Sequence, residues 1–409
     1  DLAIVAEGGL QLFGNKAGRF KKMDDSPVVV PAWANPIETV ERVNGWAAAD
    51  LDGDGDADLA LATEWGQVRV FRNDDGQFTE RTVALGLADY RGWWNGVAMI
   101  DANNDGRFDI VATNWGRNSF YETLLREEGG ESRLALFVGD VDGNGTVEQL
   151  EAVRVGDRWL PVRDRHALEK GLPDLRSRFP VHAAMVKAGI EGIAGPAFER
   201  LKKMEVNQLD TTLFINHGDR FESVPLPMEV QLTPAFSVCV GDVDADGNDD
   251  LFFSQNFFAV RPEDPRNDAG TGLWLLGHGD GTFRALKPSE SGVRVYGEQR
   301  GAALADFDRD GRVDLVVTQN AAATRLFRNQ AETKGVRVSF GGEGEGVQAR
   351  LVYADGTKGP VRVVQSITQV LGAAKVAVAV EAAWPSARKT RVPLKPGQTE
   401  VVLTYPSEP

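Results

Sequence analysis

The 409-residue chain holds one cysteine, four histidines and no run of 18 or more apolar residues. With Cys239 alone no intrachain disulfide is possible, and its setting, FSVCVGD, is that of a small buried hydrophobe rather than a reactive thiol. Without a long apolar run there is no membrane-spanning helix. His166, His182, His217 and His278 stand in no zinc-binding spacing such as HExxH. A GxSxG elbow, a P-loop, a strand-borne GxGxxG and the sialidase-type S-x-D-x-G-x-T-W box are all missing. No catalytic constellation is recognised, so the chain does not read as an enzyme. Basic residues number 45 against 60 acidic ones, a net charge of −15 that opposes a phosphate backbone and excludes nucleic acid as a partner.

What is present is a repeat. A nine-residue pattern recurs as DLDGDGDAD (50–58), DANNDGRFD (101–109), DVDGNGTVE (140–148), DVDADGNDD (242–250) and DFDRDGRVD (306–314). A short apolar strand precedes each copy and another follows it, as in WAAAD before and LALAT after the first. The opening DLAIVAEGG matches the end of such a unit, with Asp1 where Asp58 and Asp109 stand, so the array is expected to begin in mid-blade. A second pattern of strand, Gly/Asn/Asp turn and aromatic recurs in LQLFGNKAGRF, VRVFRNDDGQF, LFINHGDRF and LWLLGHGDGTF, and its turn chemistry is that of hairpins. Together they give four short strands per unit at propeller-blade spacing. Loop starts are 51, 39, 102 and 64 residues apart. Helix formers with apolar residues three and four apart over 164–206 predict a helical insertion in one blade, which accounts for the 102. The fold class is thus all-β. A β-propeller of six or seven blades occupies 1–330, five of them loop-bearing, and a small β-rich domain occupies 331–409.

Positions 1, 3, 5 and 9 of the loops are oxygen donors: Asp50, Asp52, Asp54 and Asp58; Asp101, Asn103, Asp105 and Asp109; Asp140, Asp142, Asn144 and Glu148; Asp242, Asp244, Asp246 and Asp250; Asp306, Asp308, Asp310 and Asp314. A hard cation of six to eight oxygen ligands suits such a set, with a carbonyl at position 7 and glycine at position 6 turning the donors inward. An EF-hand closes with Glu at position 12 between helices, whereas strand residues follow position 9 here. About five Ca²⁺ ions are expected, one per loop, in a structural role. They offset the mutual repulsion of 20 acidic residues held in these loops.

These loops and strands resemble the FG-GAP/VCBS repeats of integrin α-subunits and of many secreted bacterial proteins. Further stretches, among them RGWWNG, LPVRDRHALEKGLPDLRSRF and GLWLLGHGDGTF, are similar to a bacterial envelope subgroup whose propellers end in an ASPIC/UnbV-type domain. GVQARLVYADG, AAWPSA and PGQTEVVL resemble that domain, although its glycine-rich middle is reduced here to VLGAAKV. The resemblance implies an extracytoplasmic location, whether periplasmic, cell-surface or secreted, and names no ligand. Three functions follow as expectations. A scaffold module that binds a protein partner in the cell envelope stands first. A lectin-like carbohydrate binder predicts exposed, equivalent tryptophans such as Trp65 and Trp115. A polysaccharide-active enzyme predicts a cleft joining His166 or His182 to a free carboxylate and an Arg or Tyr.

Overall fold

The computed structural model describes residues 42–125, 134–261, 264–341, 346–364, 368–373, 375–384 and 388–405, with the backbone alone over 2–6, 9–16 and 19–22. Short apolar runs broken by Gly, Asn and Asp cannot hold long helices and instead meander as antiparallel strands. Val43–Ala49, Asp58–Thr63, Gly66–Asp74 and Gln77–Glu80 form one meander in that order. Ala235–Gly241, Asp250–Gln255, Leu273–Gly277 and Phe283–Ala285 form another. Gln299–Ala305, Asp314–Gln319 and Ala322–Phe327 give a three-stranded sheet, as do Leu2–Ala6, Gly9–Lys16 and Arg19–Lys22. An acidic loop joins the first and second strands of each sheet from 43 onward in this group. The second strand is the most enclosed, every residue of Asp58–Thr63 and Asp250–Gln255 being buried.

The second acidic loop departs from the simple series. Gly96–Ile100 pairs with Asp109–Thr113, but the third and fourth strands of this sheet are Thr212–Asn216 and Phe221–Pro225. Residues 114–211 are therefore inserted within one sheet, and the third acidic loop lies inside the insertion. There Leu134–Gly139 and Glu148–Val155 flank the 140–148 loop, with Arg158–Pro161 on one edge and Lys202–Val206 on the other. The five loops expected in series are arranged differently: four lie in successive sheets and the third lies in an inserted sheet. The expected helical segment of 164–206 is helical over 165–200, in Arg165–Leu168, Leu175–Arg178, His182–Ala194 and the 3₁₀ turn Gly195–Arg200. Lys202–Val206 is a strand because it completes the edge of Leu134–Gly139. The helices bury Leu175, Met185, Ile190 and Ile193 against Phe137, Leu150 and Ala152.

The first strands of the four loop-bearing sheets, from Val43–Ala49 to Gln299–Ala305, lie side by side in chain order. Their approach is close enough to demand glycine: a Cβ on Gly45 would stand 3.1 Å from Gly96 Cα, and one on Gly96 2.8 Å from Phe236 O. Cys239 lies on one of these strands, its Sγ donating to Ala302 O at 3.1 Å, and burial pushes the thiol up to about 12. Its neighbours predicted a small buried hydrophobe, and the side chain is half-buried.

Adjacent sheets are stitched by asparagines that end the third strands. Asn216 Nδ2 donates to Phe108 O in its own loop and to Leu51 O in the preceding loop, at 3.0 and 2.9 Å. Asn329 repeats this with Val313 O and Val243 O at 3.1 and 2.7 Å. Past this series, Thr368–Leu371, Val336–Gly341 and Glu400–Thr404 form one sheet, and Arg362–Val363, Gln348–Tyr353, Ala377–Ala383 and Lys389–Pro393 another. Val338, Phe340, Leu351, Val380, Trp384 and Leu403 bury between them.

Asn216 is buried and Asn216→Ala strands two carbonyls at once. A loss of about 2–4 kcal/mol is expected in urea unfolding, since each buried polar group left unpaired costs about 1–3 kcal/mol. The same change at exposed Asn118→Ala serves as control and is expected to move stability by less than about 0.5 kcal/mol.

Candidate functional site

The five loops share one backbone solution. Position 4 is left-handed in all, whether Gly53, Asn104, Gly143, Ala245 or Arg309, with φ between 57° and 83°. Position 6 is a left-handed glycine whose N–H donates to the position-1 carboxylate: Gly55 to Asp50, Gly106 to Asp101, Gly145 to Asp140, Gly247 to Asp242 and Gly311 to Asp306, at 2.8–3.1 Å. The position-9 carboxylate accepts the N–H of position 2 in every copy, from Leu51, Ala102, Val141, Val243 and Phe307 at 2.7–3.1 Å. In four copies its other oxygen accepts from the third strand: Asn73 to Asp58, Asn216 to Asp109, Gly277 to Asp250 and Asn329 to Asp314, at 2.8–2.9 Å. Glu148 in the inserted sheet has no counterpart of that last bond among those described. Position 9 is thus first a tether between loop and sheet, and a cation there would use the lone pairs these bonds leave.

Ligand atoms of Asp50, Asp52 and Asp58 lie within 4.8 Å of one another, as do those of Asp140, Asp142 and Glu148, of Asp242, Asp244 and Asp246, and of Asp306, Asp308 and Asp314. In the 101–109 loop Asn103 replaces the position-3 carboxylate, and Asp101, Asp105 and Asp109 are not drawn into such a group. Asp101 Oδ1 is nonetheless buried without a hydrogen-bond partner. That orphaned oxygen and the all-oxygen donor sets fit a hard divalent cation. Arg72 supplies partial counter-charge at the first loop, 3.0 Å from Asp52 and 3.2 Å from Asp54. Burial pushes Asp58, Asp109 and Asp242 up to about 7, Asp101 to about 6 and Asp250 to about 9, with neighbouring carboxylates adding to the rise.

The loop end is covered from within the chain. Val361 N–H donates to Asp101 Oδ2 at 3.0 Å, Arg337 Nε lies 3.4 Å from Asp306 Oδ2, and Gly335 N–H donates to Gly311 O at 2.9 Å. Arg362 enters deepest. It forms an ion pair with the buried Asp249, lies 3.8 Å from Asp242 and donates to Asn248 O and Val370 O at 3.3 and 3.2 Å. Asp249 stands at position 8, where the other loops carry Ala57, Phe108, Val147 and Val313. Only the tertiary structure explains that extra carboxylate.

The opposite ends of the same strands bear a different chemistry. The first strands are five to seven residues long, so the two ends stand roughly 17–23 Å apart at about 3.3 Å per residue. A cavity of about 600 Å³ opens there between the sheets and the insertion. Trp93 stacks on Trp115 with centroids 4.1 Å apart and planes at 15°, and touches Trp65 at 5.3 Å. Trp65 and Trp115 are only 4% and 5% exposed, so they pack, and the exposed equivalent tryptophans that the lectin alternative requires are not formed. Asn114 holds this wall, its Oδ1 accepting from Trp93 N and Trp115 N at 3.0 and 2.8 Å. Across the cavity Tyr121 donates to Glu151 Oε1 at 2.9 Å and accepts from Arg163 at 2.8 Å, and Arg163 also meets Asp264 at 3.3 Å. Burial and the Glu151 charge raise the Tyr121 phenol well above its ordinary range. Sequence reasoning missed Glu151, Arg163 and Tyr121, which belong to the insertion and carry no motif. The carboxylate, Arg and Tyr of the enzyme reading do meet here, but neither His166 nor His182 lines the cavity. His182 instead accepts from Arg165 N at 3.4 Å.

Two outcomes follow from this geometry. Arg362→Met leaves Asp249 buried and unpaired and is expected to cost about 3–5 kcal/mol in denaturant unfolding, while the double change with Asp249→Leu recovers most of it. In metal-stripped protein, carboxyls raised above the unfolded value of 3.8 keep protons that the unfolded chain has already released. Stability therefore falls as pH rises from about 4 through 7. The melting temperature is expected to drop between pH 5 and 8 without metal, and added Ca²⁺ to remove that slope.

Residues 50–112 match the family model described as FG-GAP-like repeat. Cartilage acidic protein 1 of Homo sapiens is 23% identical over 429 aligned residues, 89% of this chain and 63% of that protein. The Mus musculus protein of that name is 23% identical over 407, covering 84% and 61%. The Xenopus tropicalis one reaches 42% over 69 residues, 17% of this chain. The chain spans less than two thirds of the length of these relatives. Among solved structures, BBS1N in complex with ARL6DN has a TM-score of 0.25 at 8% identity, covering 88% of this chain and 95% of that one. The V. cholerae biofilm matrix protein Bap1 has a TM-score of 0.22 at 12% identity, covering 95% and 56%. Both scores lie below the level at which two folds are taken to be the same.

Proposed function

We propose that the chain is a calcium-stapled β-propeller working as an extracytoplasmic binding module, with a protein partner in the cell envelope. In this reading the sheets of residues 2–22, 43–80, 96–225, 235–285 and 299–327 are consecutive blades of a six- or seven-bladed ring. Residues 331–409 form the ASPIC/UnbV-like domain. About five Ca²⁺ ions sit in the acidic loops, held by the donors at positions 1, 3 and 5 with position 9 behind them.

The observation that carries the reading is the covered loop end. Val361, Arg362 and Arg337 meet position-1 aspartates of three loops, so the metal loops face the chain's own C-terminal sheets rather than a partner. The cations are therefore structural, and the opposite end is left for recognition. The FG-GAP-like match over 50–112 and the likeness to cartilage acidic protein 1 support an extracellular setting.

Chelation tests this directly. Removing metal is expected to lower the melting temperature by ten degrees or more, Ca²⁺ to restore it, and bound metal to count near five per chain. An unchanged melting curve with fewer than two bound ions overturns the stapling role. A large loss of stability with Mg²⁺ restoring it as well as Ca²⁺ overturns the choice of ion.

A further inference from the structure

In the cavity opposite the loops one described arginine, Arg300, leaves a guanidinium nitrogen without a partner. Arg163 is fully engaged by Glu151, Tyr121 and Asp264. Arg300 is different. Its guanidinium lies 3.9 Å over the Phe236 ring and 5.4 Å from that of Phe257. Only Glu298 pairs with it, and Glu298 already accepts from Phe258 N at 3.0 Å and Asn320 Nδ2 at 2.7 Å. Arg300 Nη1 is buried without a hydrogen-bond partner, while the side chain as a whole is about one third exposed where the cavity opens. Burial with too little compensating charge pulls its pKa down. A guanidinium in that state favours an anion, and a planar carboxylate matches its fork.

The surroundings narrow the anion. Half-buried Phe236 and Phe257 offer flat apolar faces beside the Trp93–Trp115 stack, and such faces stack on the C–H side of a ring. The rim is polar: Asn44 and Asn95 are locked by bonds from Nδ2 to Trp94 O and Ala235 O at 2.9 and 3.1 Å. Each of these amides keeps a second Nδ2 hydrogen for a ligand, and ring hydroxyls accept it where a purely aromatic ring does not. About 600 Å³ suits one or two sugar rings.

We propose that this cavity binds an acidic saccharide, a uronic acid residue whose carboxylate pairs with Arg300 and whose ring lies against the Phe236–Phe257 wall. The inference rests on the recognition end being the one opposite the loops, and goes beyond the protein partner proposed above.

The test uses the full chain with saturating Ca²⁺, titrated calorimetrically and by tryptophan fluorescence with digalacturonate, the neutral disaccharide lactose, and phenylacetate. Digalacturonate is expected to bind at least ten-fold more tightly than lactose or phenylacetate. Arg300→Gln is expected to erase that preference while lactose binding stays unchanged. Phe257→Leu weakens both sugars together and serves if Arg300→Gln lowers the melting temperature by more than a few degrees. Equal binding of acidic and neutral sugars, or tighter binding of phenylacetate, overturns the proposal. Binding of none of the three by a chain that still melts in a calcium-dependent way overturns the saccharide and leaves the module reading intact.

Discussion

A carboxylate buried at the start of each second strand is the constraint from which the rest of the repeat follows. Asp58, Asp109, Asp250 and Asp314 each accept one N–H from their own loop and one from the end of the third strand. A single side chain thus sets the loop, the strand register and the docking of the hairpin. Where an asparagine ends that hairpin, as at Asn216 and Asn329, its side-chain amide also reaches the preceding sheet. The sheets are joined through buried polar contacts as much as through the apolar faces between them.

Burying carboxylates has an electrostatic cost that the loops concentrate rather than relieve. Desolvation lifts Asp58, Asp109, Asp242 and Asp250 far above the ordinary carboxylate range. Three kinds of positive charge answer it. Arginines such as Arg72 lie across the exposed loops, Arg362 reaches the deepest one from the C-terminal sheets, and a divalent cation suits the converging oxygens. Arg362 and Asp249 show how specific the second answer is. The extra carboxylate at position 8 makes sense only with a guanidinium delivered from over a hundred residues downstream.

Charge at one end leaves aromatic chemistry at the other. With the loops facing the C-terminal sheets, the wall of Trp93, Trp115, Phe236 and Phe257 and the insertion opposite it form a cavity of about 600 Å³ at the strands' free end. The insertion is what turns a sheet edge into a cavity. It brings Tyr121, Glu151 and Arg163 to face strand ends that would otherwise meet solvent.

The repeat, the all-β class, the oxygen-donor loops and the hairpins were legible in the residues because each is local. A nine-residue loop closes on its own donors and glycines, and alternation along a strand reports its own two faces. The helical character of 165–200 was local for the same reason. Which hairpin completes which sheet was not local. The 212–225 hairpin joins Asp109–Thr113 across almost a hundred residues, and Asn216 at the end of its first strand bonds Asp109. That signal lay in the sequence but acquires meaning only once the bond is seen. The pairing of Arg362 with Asp249 and the cavity walls had no signature at all. Each depends on segments far apart in the chain arriving at one place, which only the packing of the sheets decides.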